Sequence, residues 1–158
     1  MTKQIPLTQG RFALVDDADY EWLSRFGWYF DRYARRSTRQ GEFRGGIRMH
    51  REILNAPAHM QVDHRNGNRL DNQRSNLRLA TATENARNKK VRSGGSSRYK
   101  GVHVYRDGWR AAATIGNTNI YLGYFTDEAE AARAYDNAAR EYFGDFARLN
   151  FPPEEQSQ

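Results

Sequence analysis

Apolar residues occur along this chain in short runs broken by polar turns, a pattern that predicts an α+β protein of small sheets and brief helices. Residues 12–15 (Phe-Ala-Leu-Val) read as a strand ending at Asp16-Asp17, a natural helix N-cap. Tyr20, Leu23 and Phe26 then recur at helical spacing until Gly27 stops the turn. Trp28, Phe30 and Tyr33 predict a further strand, a polar tip with Arg35, Arg36 and Arg39 comes next, and GGIRMH returns as another strand. Residues 1–48 are thus expected to form a β-rich platform with one helix.

The next segment, residues 49–92, changes character. His50-Arg51-Glu52 opens a short helical turn that ends near Pro57. A strand then closes on Asp63-His64, and Asn66-Gly67 supplies a tight turn into a polar loop anchored by Leu70. Leu77, Leu79 and Thr81 alternate with Arg78 and Ala80 as in a half-buried strand. Thr81-Ala82-Thr83-Glu84 has the form of a capping box, so a helix should start near Ala82 with Asn85 in its first turn or so. Strand, loop, strand and helix make a ββα unit.

KKVRSGGSSR then reads as a tether with residues 93–97 as the linker proper, reaching on the order of 15–20 Å as a random coil. Residues 98–152 predict a second module. Strands over 101–106, 109–115 and 119–124 are separated by Asp107-Gly108 and Gly116-Asn117, as in an antiparallel meander. Thr126 should cap a helix whose broad apolar face holds Ala131, Ala132, Tyr135, Ala138, Ala139, Tyr142 and Phe143, closed by Gly144. Residues 153–158 read as a disordered tail.

Composition narrows the partner. The chain has 158 residues, 38% of them hydrophobic, and its 25 Lys and Arg against 19 Asp and Glu leave a charge of +6. That balance points to a polyanion, with nucleic acid ahead of a membrane surface because no basic amphipathic helix stands out. Without cysteine there are no disulfides and no thiolate zinc site, and four scattered His argue against a His-only zinc cluster, so no zinc is expected. No apolar run has the length of a signal sequence core or membrane span, and a soluble, cytoplasmic protein is expected, in a bacterial or phage-infected cell.

The chemistry that fits residues 60–90 is phosphodiester hydrolysis. It needs an activated water and a cation to neutralise charge growing on the phosphate. A neutral imidazole suits the first task, so His64 is the candidate base. Asp63 and Asn85, both hard oxygen donors, are the candidate ligands of one Mg²⁺-like ion, with Mn²⁺ as a substitute. Adjacent strand residues point to opposite faces, so Asp63 and His64 converge only if the strand bends at its end. His50, Arg51 and Asn72 are second-tier candidates.

MHREIL followed by VDHRNGNRLDNQRSNLRLATATENARNKK resembles the HNH nucleases, in the branch of phage and mobile-element homing endonucleases. The resemblance implies that His64 is the general base, Asp63 and Asn85 the metal ligands, and Asn76 a catalytic-site residue that locks the loop and orients His64. The final motif letter, often His in the family, is Asn here. SRYKGVHVYRDGWRAAAT and IYLGYFTDEAEAARAYDNAAREYFGDFARLNFP are similar to the AP2 DNA-binding domain. Such domains lay a three-stranded sheet in the major groove of duplex DNA.

Carried across, that likeness implies DNA contacts by Lys100, His103, Tyr105, Ala112, Thr114, Asn119 and Tyr121. Arg106 and Arg110 are added for phosphates, and Lys89, Lys90 and Arg92 as tether residues that track the backbone. Together the two likenesses imply an endonuclease acting on double-stranded DNA, a monomer or weak dimer that nicks as a monomer. The rival expectation is a non-catalytic DNA-binding regulator on a degenerate HNH scaffold.

Overall fold

The computed structural model describes residues 1–38, 46–91 and 94–153. Arg39, Arg92, the first linker position and most of the tail singled out above lie outside them. Among the described residues the protein is α+β, with several small antiparallel sheets and four α-helices. It divides into two compact units, Met1–Asn85 and Ala86–Gln158.

In the first unit β1 (Thr2–Pro6) pairs antiparallel with β2 (Phe12–Asp16), and α1 (Asp17–Leu23) comes directly after. The sequence pattern hid β1, because Ile5 is its only buried residue and no alternation marks it. The stretch from Trp28 to Arg36 is two strands rather than the single one expected. β3 (Tyr29–Asp31) reverses at Arg32, which adopts a φ of 57°, and returns as β4 (Tyr33–Ser37) beside β5 (Gly46–Arg48). With no Gly or Asn at the reversal, nothing in the residue types announces it.

A single core joins these pieces to the helix and strands that carry residues 49–80. Ile5, Ala13, Val15, Leu23, Trp28 and Ala34 pack with Met49 and Ile53 of α2 (Met49–Ile53) and with Val62 and Leu77. The last two come from β6 (Gln61–His64) and β7 (Leu77–Ala80), paired antiparallel from Gln61↔Ala80 to His64↔Leu77. α3 (Ala82–Arg87) opens as its sequence predicts: the Glu84 carboxylate accepts from Thr81 N at 2.8 Å, and Thr81 Oγ1 accepts from Glu84 N at 3.2 Å.

In the second unit β8 (Val102–Tyr105), β9 (Gly108–Ile115) and β10 (Thr118–Phe125) form a meander with β9 central. α4 (Glu128–Phe143) covers one sheet face, its Ala131, Ala132, Tyr135 and Ala139 packing with Val102, Ala111 and Ala113. Alanines permit that close approach. Two expectations are corrected here. The N-cap is Asp127, whose carboxylate accepts from Glu130 N at 2.9 Å, one residue later than Thr126. Tyr142 is exposed and not part of the apolar face.

The stretch expected to be a free tether is tied to the second unit. Lys100 Nζ donates to the carbonyls of Arg87 and Lys89, Ser97 Oγ to Glu128 at 2.8 Å, and Val104 N to Ser96 Oγ at 3.2 Å. The boundary between units consequently falls inside α3 and not in the Gly/Ser run.

Candidate active site and nucleic-acid interface

β6 delivers the acid and the imidazole, and its ladder to β7 runs through both without a register shift. Side chains on such a strand alternate between faces. The two neighbours accordingly meet different partners. Asp63, 5% exposed, lies opposite Arg78 and accepts from its Nε at 2.8 Å and from a terminal nitrogen at 2.6 Å. His64, also 5% exposed, turns toward Asn72, with Nε2 3.5 Å from Oδ1, and toward the rings of His50 and Tyr33, 5.0 and 6.2 Å away between centroids. The bend that would bring Asp63 and His64 side by side is therefore absent from the paired part of the strand.

The two roles that the resemblance implied for Asn76 fall to two different asparagines of the loop. Asn72, fully buried, is the one beside the imidazole. Asn76 has both ends of its amide committed to the loop: Oδ1 accepts from Asn66 N at 3.0 Å and Nδ2 donates to the Asp71 carbonyl at 2.8 Å. Asn76 locks the loop as expected, but the orienting contact to His64 comes from Asn72.

The N-terminal platform holds this loop in place. Leu14 N donates to Leu70 O and Asn72 N to Leu14 O, both at 2.8 Å, so β2 grips the segment carrying Asn72. Arg74 adds a bidentate pair to the buried Asp19 carboxylate, with both contacts at 2.8 Å, while Arg74 N donates to Asp16. Asp16 thus anchors the loop and makes no side-chain cap to α1. Arg51, a second-tier site candidate by sequence, is structural: its guanidinium donates to the carbonyls of Met60, Ala56 and Pro57.

On the Asp63 side, Asn85 Nδ2 donates to Gln61 Oε1, and Gln61 stands two residues before Asp63 on the same strand face. The other end of the Asn85 amide, Oδ1, is a hard oxygen donor by type. No group of three or more His, Cys, Asp and Glu gathers as a metal cluster among the described residues. Asp63 and Asn85 carry oxygen donors, the class that suits a hard divalent cation, and the Asp63 carboxylate is already paired with Arg78.

Burial holds the His64 imidazole below its ordinary basicity, with the charge of Arg69 adding to this, while Asn72, Asp63 and Asp71 act the other way. His50 is affected more strongly. At 3% exposure, with Nδ1 unpartnered and with His64, Arg48 and Arg51 nearby, it is pushed down to about 3. An unfolded chain takes up this proton below the ordinary histidine value of 6.5, whereas the folded chain refuses it until about 3. Stability present above that ordinary value is therefore lost as pH falls through this window, by at most about 1.4 kcal/mol per pH unit. Hydrogen exchange of β2 and β6 amides at pH 7 and at about pH 5.5, inside that window, should show wild type losing more protection than His50→Gln. Equal losses would mean that His50 protonates in the folded state.

In the second unit the sheet face turned away from α4 carries His103, Tyr105, Arg110, Ala112, Thr114, Asn119, Tyr121 and Tyr124, as the register requires. His103, Tyr105, Thr114, Asn119 and Tyr121 are exposed, and Ala112 lies buried beneath them. The Arg110 guanidinium sits 5.6 Å from the Tyr121 ring centre, and Arg106 sits 5.3 Å from that of Tyr105. Lys89 and Lys90 are exposed. Lys100 is not part of this face: its amine holds the Arg87 and Lys89 carbonyls, and burial, aided by the charge of Arg148, pushes it down to about 8. Residue type suggested a free cation there and could not reveal the carbonyls.

The comparisons with known proteins agree on both halves. A family model described as HNH endonuclease matches residues 55–87. An uncharacterised HNH endonuclease of Acanthamoeba polyphaga mimivirus is 30% identical over 149 residues, covering 90% of this chain and 76% of that protein. APETALA2-like protein 2 of Oryza sativa subsp. indica is 47% identical over 62 residues, 37% of this chain but 14% of the rice protein. The ethylene-responsive transcription factor WRI1 of Arabidopsis thaliana is 44% identical over 63 residues, 37% of this chain and 15% of its own length. The plant likeness is thus to one domain, while the viral likeness runs nearly end to end, and the chain belongs to the HNH endonuclease family.

Proposed function

We propose that the protein is a metal-dependent DNA endonuclease whose second unit positions it on the duplex. The observation that carries this reading is that the family match, residues 55–87, takes in Asp63, His64 and Asn85 together. HNH nucleases use a divalent metal, which when bound would neutralise charge on the phosphate under attack. Asp63 and Asn85 would hold it. Arg78 holds the Asp63 carboxylate in place, and Asn85 reaches the same strand face through its bond to Gln61.

His64 would take the proton from the attacking water. Neutrality is a requirement for that role, and burial supplies it by disfavouring the imidazolium. Asn72 fixes the ring, and Asn76 fixes the loop that carries Asn72. The open sheet face of the second unit, with His103, Tyr105, Thr114, Asn119 and Tyr121 exposed and Arg106 and Arg110 over tyrosine rings, would lie against duplex DNA. Lys89 and Lys90 would add phosphate contacts. One such site cuts one strand per placement, so a monomer nicks.

The test is relaxation of a supercoiled plasmid. With Mg²⁺ it should proceed, and EDTA should stop it while the protein remains retained on DNA. Retention without nicks in either Mg²⁺ or Mn²⁺ would overturn the reading.

A further inference from the structure

The family match begins at residue 55, yet two of the rings around His64, those of Tyr33 and His50, come from before it. Tyr33, on β4, lies 4.9 Å from His50 and 6.2 Å from His64 between ring centres. Two guanidiniums lie near the same ring: Arg48, at the end of β5, at 5.3 Å from its centre and Arg69, from the loop after β6, at 5.1 Å. Both arginines are exposed, and neither forms an ion pair among the described residues.

Elsewhere in this unit arginines answer carboxylates: Arg74 pairs with Asp19, Arg78 with Asp63 and Arg36 with Glu52. Arg48 and Arg69 instead share one aromatic ring, and the positive charge of Arg48 falls on His50 and that of Arg69 on His64. An anion between two such like charges would relieve their repulsion. A ring face that stacks guanidiniums keeps their donors turned outward in a planar fork, the shape that suits phosphate oxygens.

We propose that Arg48 and Arg69, held by the Tyr33 ring, bind a phosphodiester of the nucleic acid backbone beside His64, so that the N-terminal platform forms part of the substrate site. This rests on the nuclease reading for its consequence in cleavage but not for its consequence in binding. The platform's other contacts to the loop have the same effect. β2 and Asp19 fix the segment after Arg69.

The experiment uses the full chain with Arg48→Ala/Arg69→Ala and with Arg48→Lys/Arg69→Lys. Duplex binding is measured in EDTA across a salt series, and single-turnover plasmid nicking in Mg²⁺. The alanine pair should shallow the slope of log affinity against log salt by about 0.9 for each phosphate it leaves unneutralised. It should also slow nicking by about tenfold or more, the effect of removing a charge-assisted hydrogen bond. The lysine pair should restore most of the salt slope and less of the rate. Because both side chains are exposed, melting should be unchanged. Should the alanine pair melt early, Arg48→Gln and Arg69→Gln taken singly are read by the same two measures.

Inorganic phosphate competing as well as an oligonucleotide of equal phosphate content would identify a free-anion site and overturn the backbone assignment. An unchanged slope with an unchanged rate overturns the proposal altogether. If wild type fails to nick at all, the nuclease reading falls and the salt slope alone decides.

Discussion

Replacing His64 with alanine is expected to lower plasmid nicking by about 10²–10⁴-fold, the range for losing a positioned general base, with retention on DNA intact. The geometry makes the substitution informative. The surroundings of His64 are Asn72, His50 and Tyr33, all in the first unit, whereas the exposed sheet face belongs to the second. The variant also opens a cavity where a 5% exposed ring stood, at a cost of about 2–3 kcal/mol in the first unit. Nicking is therefore measured well below the melting range, and His64→Gln, which fills more of the space without a proton acceptor of comparable basicity, should be equally inactive. Undiminished cleavage by either variant would remove His64 from the chemistry.

Which parts of this site could be read from the sequence depends on how local their signals are. The capping box at Thr81, the Asn-Gly turn and the closure of α4 at Gly144 each depend on residues a few positions apart, and all appear where the residue types put them. Side-chain direction is another matter. The spacing of Asp63, His64, Asn76 and Asn85 says nothing about which loop asparagine meets the imidazole, and Asn72 does so because β2 pins that residue's backbone from far away in the chain.

Long-range partners are invisible for the same reason. Arg74 finds Asp19 across 55 residues, and Lys100 donates to the Arg87 and Lys89 carbonyls because the segment before it folds back. Arg78 is an intermediate case. Once β6 and β7 are paired, the register alone sets it opposite Asp63, but the length of the loop between them leaves that register open in the sequence.

That pair leads to the second large effect. Asp63→Ala is expected to destabilise the first unit by about 3–5 kcal/mol, because it leaves the Arg78 guanidinium buried without its counter-charge. The side chains are 6% and 9% exposed, too little for water to replace the lost carboxylate. Activity would vanish as well, but a protein that has lost this much stability would stop cutting whatever Asp63 does. The double variant Asp63→Ala/Arg78→Met separates the two causes. Removing both charges relieves the desolvation penalty, and much of the stability should return, read as a urea midpoint close to wild type. If Asp63 holds the catalytic cation, nicking should stay absent in the restored fold, and raising Mg²⁺ or Mn²⁺ should recover little of it. If instead Asp63 exists only to neutralise Arg78, the double variant cuts DNA, and the metal must be held elsewhere on the Asn85 face.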